Sequence, residues 1–218
     1  MSRLLNSILD LIYPPKCSFC RKIIDAELKG ICQECAKKLP RLEGDCRKTP
    51  LEDGTHCFSA LRYDGMVRDS FLRYKFYGAV SYADTYSGLL AESLKDIGSD
   101  FDLVTWVPLS RRRKRKRGYD QAELIAEGTS HLLGLDCKRI LYKNKETKAQ
   151  SLTRSGKERR NNVKGAWSIC DNADVKDKRI LVFDDIVTTG ATLSECCAVL
   201  KRAGALSVTA ATLAKAAE

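Results

Sequence analysis

No apolar run in this sequence approaches the roughly 18 residues needed to cross a bilayer, which argues against an integral membrane protein. A secretion signal is missing as well. The opening stretch is apolar at Leu4, Leu5, Ile8, Leu9, Leu11 and Ile12, but Asn6, Ser7 and Asp10 interrupt it and no small-residue cleavage site follows. Its helical spacing, stopped by Pro14 and Pro15, predicts a helix docked on the protein body. Internal repeats are lacking, and only one segment is compositionally biased. Apolar residues are not in short supply. A hydrophobic fraction of 44% excludes a mainly disordered chain, and 218 residues suffice for one large domain or a medium domain with a small attachment.

With no sign of secretion, the ten cysteines read as metal ligands more readily than as disulfides. Cys17-Ser-Phe-Cys20 and Cys32-Gln-Glu-Cys35 form two knuckles separated by eleven residues. The two-residue gap lets both thiolates of a knuckle reach one ion, and two knuckles complete a closed tetrahedral zinc site. With no open coordination position the zinc is structural, replacing a core that so short a segment cannot build. Cys46, His56 and the adjacent Cys57 lack knuckle spacing, so no second zinc is expected. Cys137, Cys170, Cys196 and Cys197 show no ligand spacing and read as small buried residues.

Charge is unevenly distributed. The net excess of +10 falls in residues 101–166, which carry 17 basic and 7 acidic side chains. Such concentration points to a local anion site.

The most informative stretch is Arg179-Ile-Leu-Val-Phe-Asp-Asp-Ile-Val-Thr-Thr-Gly-Ala-Thr-Leu193. Four apolar residues read as a parallel strand covered on both faces. Asp184 and Asp185 follow at its C-terminal end, where open α/β sheets bind ligands. The turn Thr188-Thr189-Gly190-Ala191-Thr192 then opens a helix, presenting backbone N–H groups and hydroxyls to a phosphate. A Walker loop is excluded, because Ala191 stands where the lysine is required.

This stretch resembles the thirteen-residue signature of type I phosphoribosyltransferases. The resemblance implies that Asp184 and Asp185 hold the ribose hydroxyls of phosphoribosyl pyrophosphate (PRPP), and that Thr188, Thr189, Gly190, Ala191 and Thr192 wrap its 5′-phosphate. Loss of pyrophosphate from C1 leaves an oxocarbenium-like centre, which carboxylates near the ring stabilise. Mg²⁺ bound with PRPP neutralises the leaving group.

A second expected strand, Val104–Leu109, leads into seven consecutive cations, Arg111–Arg117, then Gly118-Tyr119-Asp120-Gln121. Val107 through Gln121 matches the pattern V-P-[VL]-x3-R-x3-R-G-[FY]-[ND]-Q of the ComF family of late-competence proteins, with Asp120 in place of the commoner asparagine. Further similarity lies in Tyr63, Gly65, Arg68, Lys75-Phe76 and Gly78, and in Thr147, Gln150, Ser151-Leu152, Arg159 and Asn161 to Trp167. The pattern selects Arg113 and Arg117 as the pyrophosphate-facing members of a basic loop. The polar span 143–160 reads as a mobile loop that closes over PRPP. Three uses of the basic run stay open: a pyrophosphate loop, a track for single-stranded nucleic acid, or a solvated face. Against the second, only Tyr119 lies between Trp106 and Tyr142 to stack on bases.

The expected architecture is α/β: a small four-cysteine zinc ribbon with an N-terminal helix (1–57), then a type I phosphoribosyltransferase parallel sheet flanked by helices (58–218). Strands are expected at 58–63, 103–108, 138–142, 179–184 and 207–213. The resemblance implies a cytoplasmic protein that handles single-stranded DNA during natural transformation or DNA uptake, with DNA-uptake or helicase proteins as partners. The alternatives are a salvage or biosynthetic phosphoribosyltransferase for a free base or amine, and a non-catalytic PRPP sensor. Hypoxanthine-guanine enzymes place a proton-accepting aspartate where Thr188 stands, so a purine mechanism of that kind lacks its base.

Overall fold

The computed structural model describes residues 14–97, 100–145 and 163–216. The expected N-terminal helix lies outside the described residues, and so does the expected closing loop beyond Lys145.

A five-stranded sheet organises the molecule. Four strands are parallel: β2 (His56–Arg62), β3 (Leu103–Trp106), β6 (Arg179–Val187) and β7 (Ser207–Lys215). A short antiparallel strand, β1 (Lys48–Pro50), closes one edge, giving the order β1-β2-β7-β6-β3. Lys48 and Pro50 suit an outer strand, because proline cannot donate to a ladder and a charge discourages further pairing.

The centre of the sheet is covered on both sides, as the apolar runs require. Ile180, Leu181, Val182 and Phe183 are all fully buried. Alternation sends Leu181 and Phe183 into a core shared with helices α2 (Gly65–Phe76), α3 (Tyr82–Leu94) and α5 (Gln121–Leu133). Ile180 and Val182 face the opposite core, built with α6 (Ala191–Arg202) and a small hairpin, β4 (Leu141–Lys143) with β5 (Trp167–Ile169).

Two expectations need correction. The strand expected at 138–142 does not enter the parallel sheet. Cys137 makes a single parallel bridge to Val104, after which the chain departs to pair with β5. Asp136, Lys138 and Arg139 are exposed, and a segment so polar cannot be covered on both faces. The basic run is not a loop either. It forms a seven-residue helix, α4 (Arg111–Arg117). Ser110 starts it, its Oγ accepting from the Arg113 N–H, and Gly118 at φ 88° ends it by donating to the Lys114 carbonyl.

The cysteine module carries a one-and-a-half-turn helix, α1 (Gln33–Lys38), and rests on α2 and α3. Arg73 donates to the carbonyls of Ser18 (3.1 Å) and Phe19 (2.7 Å), and Ser70 Oγ donates to Ser18 O at 2.6 Å. Phe19 packs edge-on against Tyr86, and Cys17 and Cys35 share the core of α2 and α3. Close approach is required at Gly30, where a Cβ would lie 2.1 Å from Thr85 Oγ1.

Candidate phosphoribosyl and zinc sites

Both sites follow from where short polar motifs leave buried scaffolds. In the cysteine module, the thiol sulfurs of Cys17, Cys20, Cys32 and Cys35 lie within 4.8 Å of one another. Zinc–sulfur bonds of about 2.3 Å in a tetrahedron put sulfurs about 3.8 Å apart. Cys20 and Cys32 stand at 3.7 Å. Backbone N–H groups of Cys32 and Cys35 donate to Cys17 Sγ and Cys32 Sγ, each at 3.4 Å. At Cys17 burial raises the thiol, but backbone donors from Cys20, Cys32 and Phe19 outweigh it and bring it down to about 6. Four crowded sulfurs with no open position fit a structural zinc and leave no place for substrate. Cys57 is fully buried beside Thr212, and burial pushes its thiol up to about 12, whereas Cys46 is exposed.

The second site forms at the C-terminal edge of the parallel strands. Its position follows from a difference in strand length. β3 stops at Trp106, opposite Phe183, and Val107 N donates to Phe183 O at 2.8 Å. β6 continues for four more residues beside β7, so Asp184 and Asp185 emerge where their other neighbour has ended. Local backbone donors orient both carboxylates: Asp185 N reaches Asp184 Oδ1 at 2.8 Å, and Ile186 N reaches Asp185 Oδ1 at 2.7 Å. Burial, then the adjacent Asp185 charge, hold the Asp184 carboxyl well above the usual carboxylate range.

Beyond Val187 the chain turns through exposed Thr188 and Thr189 to Gly190, the residue preceding α6. Gly190 has φ 72°, and a Cβ there would meet Leu51 Cδ2 at 2.6 Å, so only glycine fits. The turn between β1 and β2 presses on α6 here, with Asp53 N donating to Ser194 Oγ and Lys201 pairing with Asp53 at 2.8 Å. A twelve-residue helix that begins in a small-residue turn presents its dipole and first N–H groups to an anion.

α4 leaves β3 at the same edge. Arg113 and Arg117, four residues apart, are both half-buried, whereas Arg111, Arg112, Arg115 and Lys116 are exposed. The Arg117 side chain donates to Gln121 Oε1 and lies 5.5 Å from the Phe76 ring centroid. Burial pulls its guanidinium pKa down, and the Asp185 charge acts in the opposite direction. Lys114 pairs with Glu123. Like charges four apart destabilise a helix, and cations in its first turn oppose the dipole. α4 is therefore held by its caps and its flanks, and an anion lying along it relieves the repulsion.

One residue of this site carried no role in the sequence reading. Lys75, on the last turn of α2, sets its Nζ 3.1 Å from Asp185 Oδ2, with both side chains largely buried. In the sequence it stood out only as part of the family match at Lys75-Phe76, although it is also the sole lysine between Lys48 and Lys95. Asp120 is 3% exposed and accepts from Leu109 N at 2.7 Å, and burial lifts its carboxyl to about 6. A cavity of about 540 Å³ at the opposite edge, between Asp102, Asp136, Lys138 and Asp174, takes no part in this arrangement.

A parallel sheet with two acidic residues at a strand end, followed by a small-residue turn into a helix, defines a phosphoribosyltransferase-type domain carried behind a zinc ribbon. Residues 108–218 match the Phosphoribosyl transferase domain family, and residues 8–61 match the Double zinc ribbon domain. The chain is 31% identical over 206 residues to Competence protein ComFC of Streptococcus pneumoniae, covering 93% of this chain and 82% of that one. It is 28% identical to Competence protein F of Haemophilus influenzae, over 87% and 92% of the two chains. DNA utilization protein YhgH of Escherichia coli K12 is 30% identical over 107 residues, 49% of this chain and 46% of that one. The chain belongs to the ComF family. Among the described residues no helix is long and apolar enough to cross a membrane.

Proposed function

We propose that this protein binds PRPP with Mg²⁺ at the C-terminal edge of its sheet and acts on single-stranded DNA during DNA uptake. The observation that carries the reading is the convergence of Asp184 and Asp185, the Gly190 turn and half-buried Arg113 and Arg117 on one edge. In this reading the two carboxylates bind the ribose hydroxyls, the N–H groups and hydroxyls of Thr188 to Thr192 hold the 5′-phosphate, and Arg113 and Arg117 meet the pyrophosphate. The donor set fits Mg²⁺, which usually takes one or two carboxylates and completes its shell with substrate phosphates. When bound, the ion neutralises charge on the leaving pyrophosphate. Lys75 beside Asp185 offsets the repulsion of two adjacent carboxylates before the ligand arrives.

The DNA part of the reading draws on the names of the relatives, two competence proteins and a DNA utilization protein, and on the exposed cations of α4. Seven cations exceed what one diphosphate can use. The test is a pair of variants. Replacing Arg111, Arg112, Arg115 and Lys116 by Gln weakens single-stranded DNA and flattens its dependence on salt, expected at about −0.7 in log affinity per phosphate contacted, and leaves PRPP affinity nearly unchanged. Replacing Arg113 and Arg117 weakens PRPP first. A wild type that binds no single-stranded DNA at low salt removes the DNA part and favours an enzyme for a free base or amine.

A further inference from the structure

The basic segment is nearly without aromatic residues in sequence, but the fold supplies them from elsewhere. α2 ends at Phe76, with Tyr77 following as its cap, and places Phe76 under the guanidinium of Arg117, 41 residues further along the chain. Phe76 is 63% exposed and Tyr77 80%, with Val80 at 41% beside them in the following turn. Single exposed apolar side chains are ordinary on a soluble surface. Two adjacent exposed rings at the foot of a seven-cation helix are not explained by packing, because α2 already anchors its buried side through Val67, Phe71 and Tyr74.

The surroundings identify what such rings receive. A partner here must tolerate or prefer positive charge, because Arg111, Arg112, Arg115 and Lys116 are exposed and a hollow of about 490 Å³ opens against Arg111, Lys114, Arg115 and Gly118. It must also present flat apolar faces at intervals along its charge. An unpaired polynucleotide strand does both, with phosphates for the cations and bases for the rings. Duplex DNA keeps its bases stacked inside and offers only the phosphates.

We propose that Phe76 and Tyr77 form a base-stacking platform for single-stranded DNA whose phosphates follow α4. The inference rests on the DNA part of the proposed function and adds where the bases go. It also sets a stacked base next to Lys75, one residue before Phe76 and in contact with Asp185, so the strand passes the edge of the phosphoribosyl site.

The experiment compares fluorescence anisotropy of the full chain with two labelled strands of equal length, oligothymidylate and an abasic strand. Both carry the same phosphates. The wild type prefers oligothymidylate by at least about fivefold, the low end of what stacking one base contributes. Phe76→Ala/Tyr77→Ala loses that preference and binds both strands as the wild type binds the abasic one, with the same salt dependence. Tyr77→Ala alone, at a side chain that makes little contact with the protein, loses part of it without risk to folding. Equal binding of the two strands by the wild type, or an undiminished preference in both variants, overturns the platform and leaves the cation track of α4 intact. If the wild type binds neither strand, the DNA reading itself has failed, and the platform fails with it.

Discussion

Arg73 and Lys75 stand two residues apart on α2 and hold two different parts of the molecule. Arg73 donates to the carbonyls of Ser18 and Phe19 in the first cysteine knuckle, and Lys75 pairs with Asp185 at the end of β6. The helix thus ties the zinc module to the carboxylates.

Loss of the metal should therefore be felt at both ends of α2. Cys17→Ser/Cys32→Ser is expected to lower the zinc content from about one per chain to near none, measured by metal analysis, and to lower the melting temperature because metal binding there is folding energy. PRPP affinity falls about fivefold in the same variant, the low end of ordinary coupling between sites. Zinc retained in full would show that the ligands are other residues. Unchanged PRPP affinity in a zinc-free protein would show that α2 transmits nothing.

Lys75→Met tests the contact that the fold adds to the site. The substitution keeps the apolar stem and removes the ammonium from Asp185. The contact already exists before the ligand arrives, so only its share in holding Asp185 for the ligand counts toward binding, and PRPP affinity should fall about fivefold by calorimetry. Equal or tighter binding would mean that Lys75 merely competes with the ligand for Asp185.

Asp120 carries a pH dependence whose sign is fixed by its burial. Its carboxyl titrates near 6 in the folded protein against an ordinary 3.8, so the native state binds the proton more tightly. The group thus favours folding at low pH, and that contribution is lost as pH rises from about 4 through about 6. Above that range the charged form costs up to about 3 kcal/mol. Asp120→Asn, which restores the commoner family residue, should raise the denaturant midpoint most above about pH 6 and progressively less toward about pH 4. A gain independent of pH would show that the effect is not ionisation.

What the sequence made legible was what lies contiguous in it. The two knuckles, the strand Ile180–Phe183 and the turn through Gly190 each carry their signal within about twenty residues of chain, and each stands where that signal put it. The contacts that complete the site span the chain. Lys75 and Asp185 are 110 residues apart, and no local pattern reports such a pair. α4 went unread for a different reason. Seven like charges have no apolar periodicity, although Ser110 before them and Gly118 after them are ordinary helix boundaries. The segment at 138–142 misled because Ile140 and Leu141 are buried, but against the hairpin core and not within the sheet.

The central claim, a PRPP site built on the end of β6, is tested most directly by calorimetric titration of PRPP with Mg²⁺ into wild type and Asp185→Ala. Asp185 is an oriented carboxylate at the strand end, and in the proposed reading its removal takes away one of the two carboxylates that hold the ribose hydroxyls. The wild type is expected to bind one PRPP per chain, and Asp185→Ala to bind at least about tenfold more weakly. Equal affinity in the two proteins, or no PRPP binding by the folded wild type, would contradict the account.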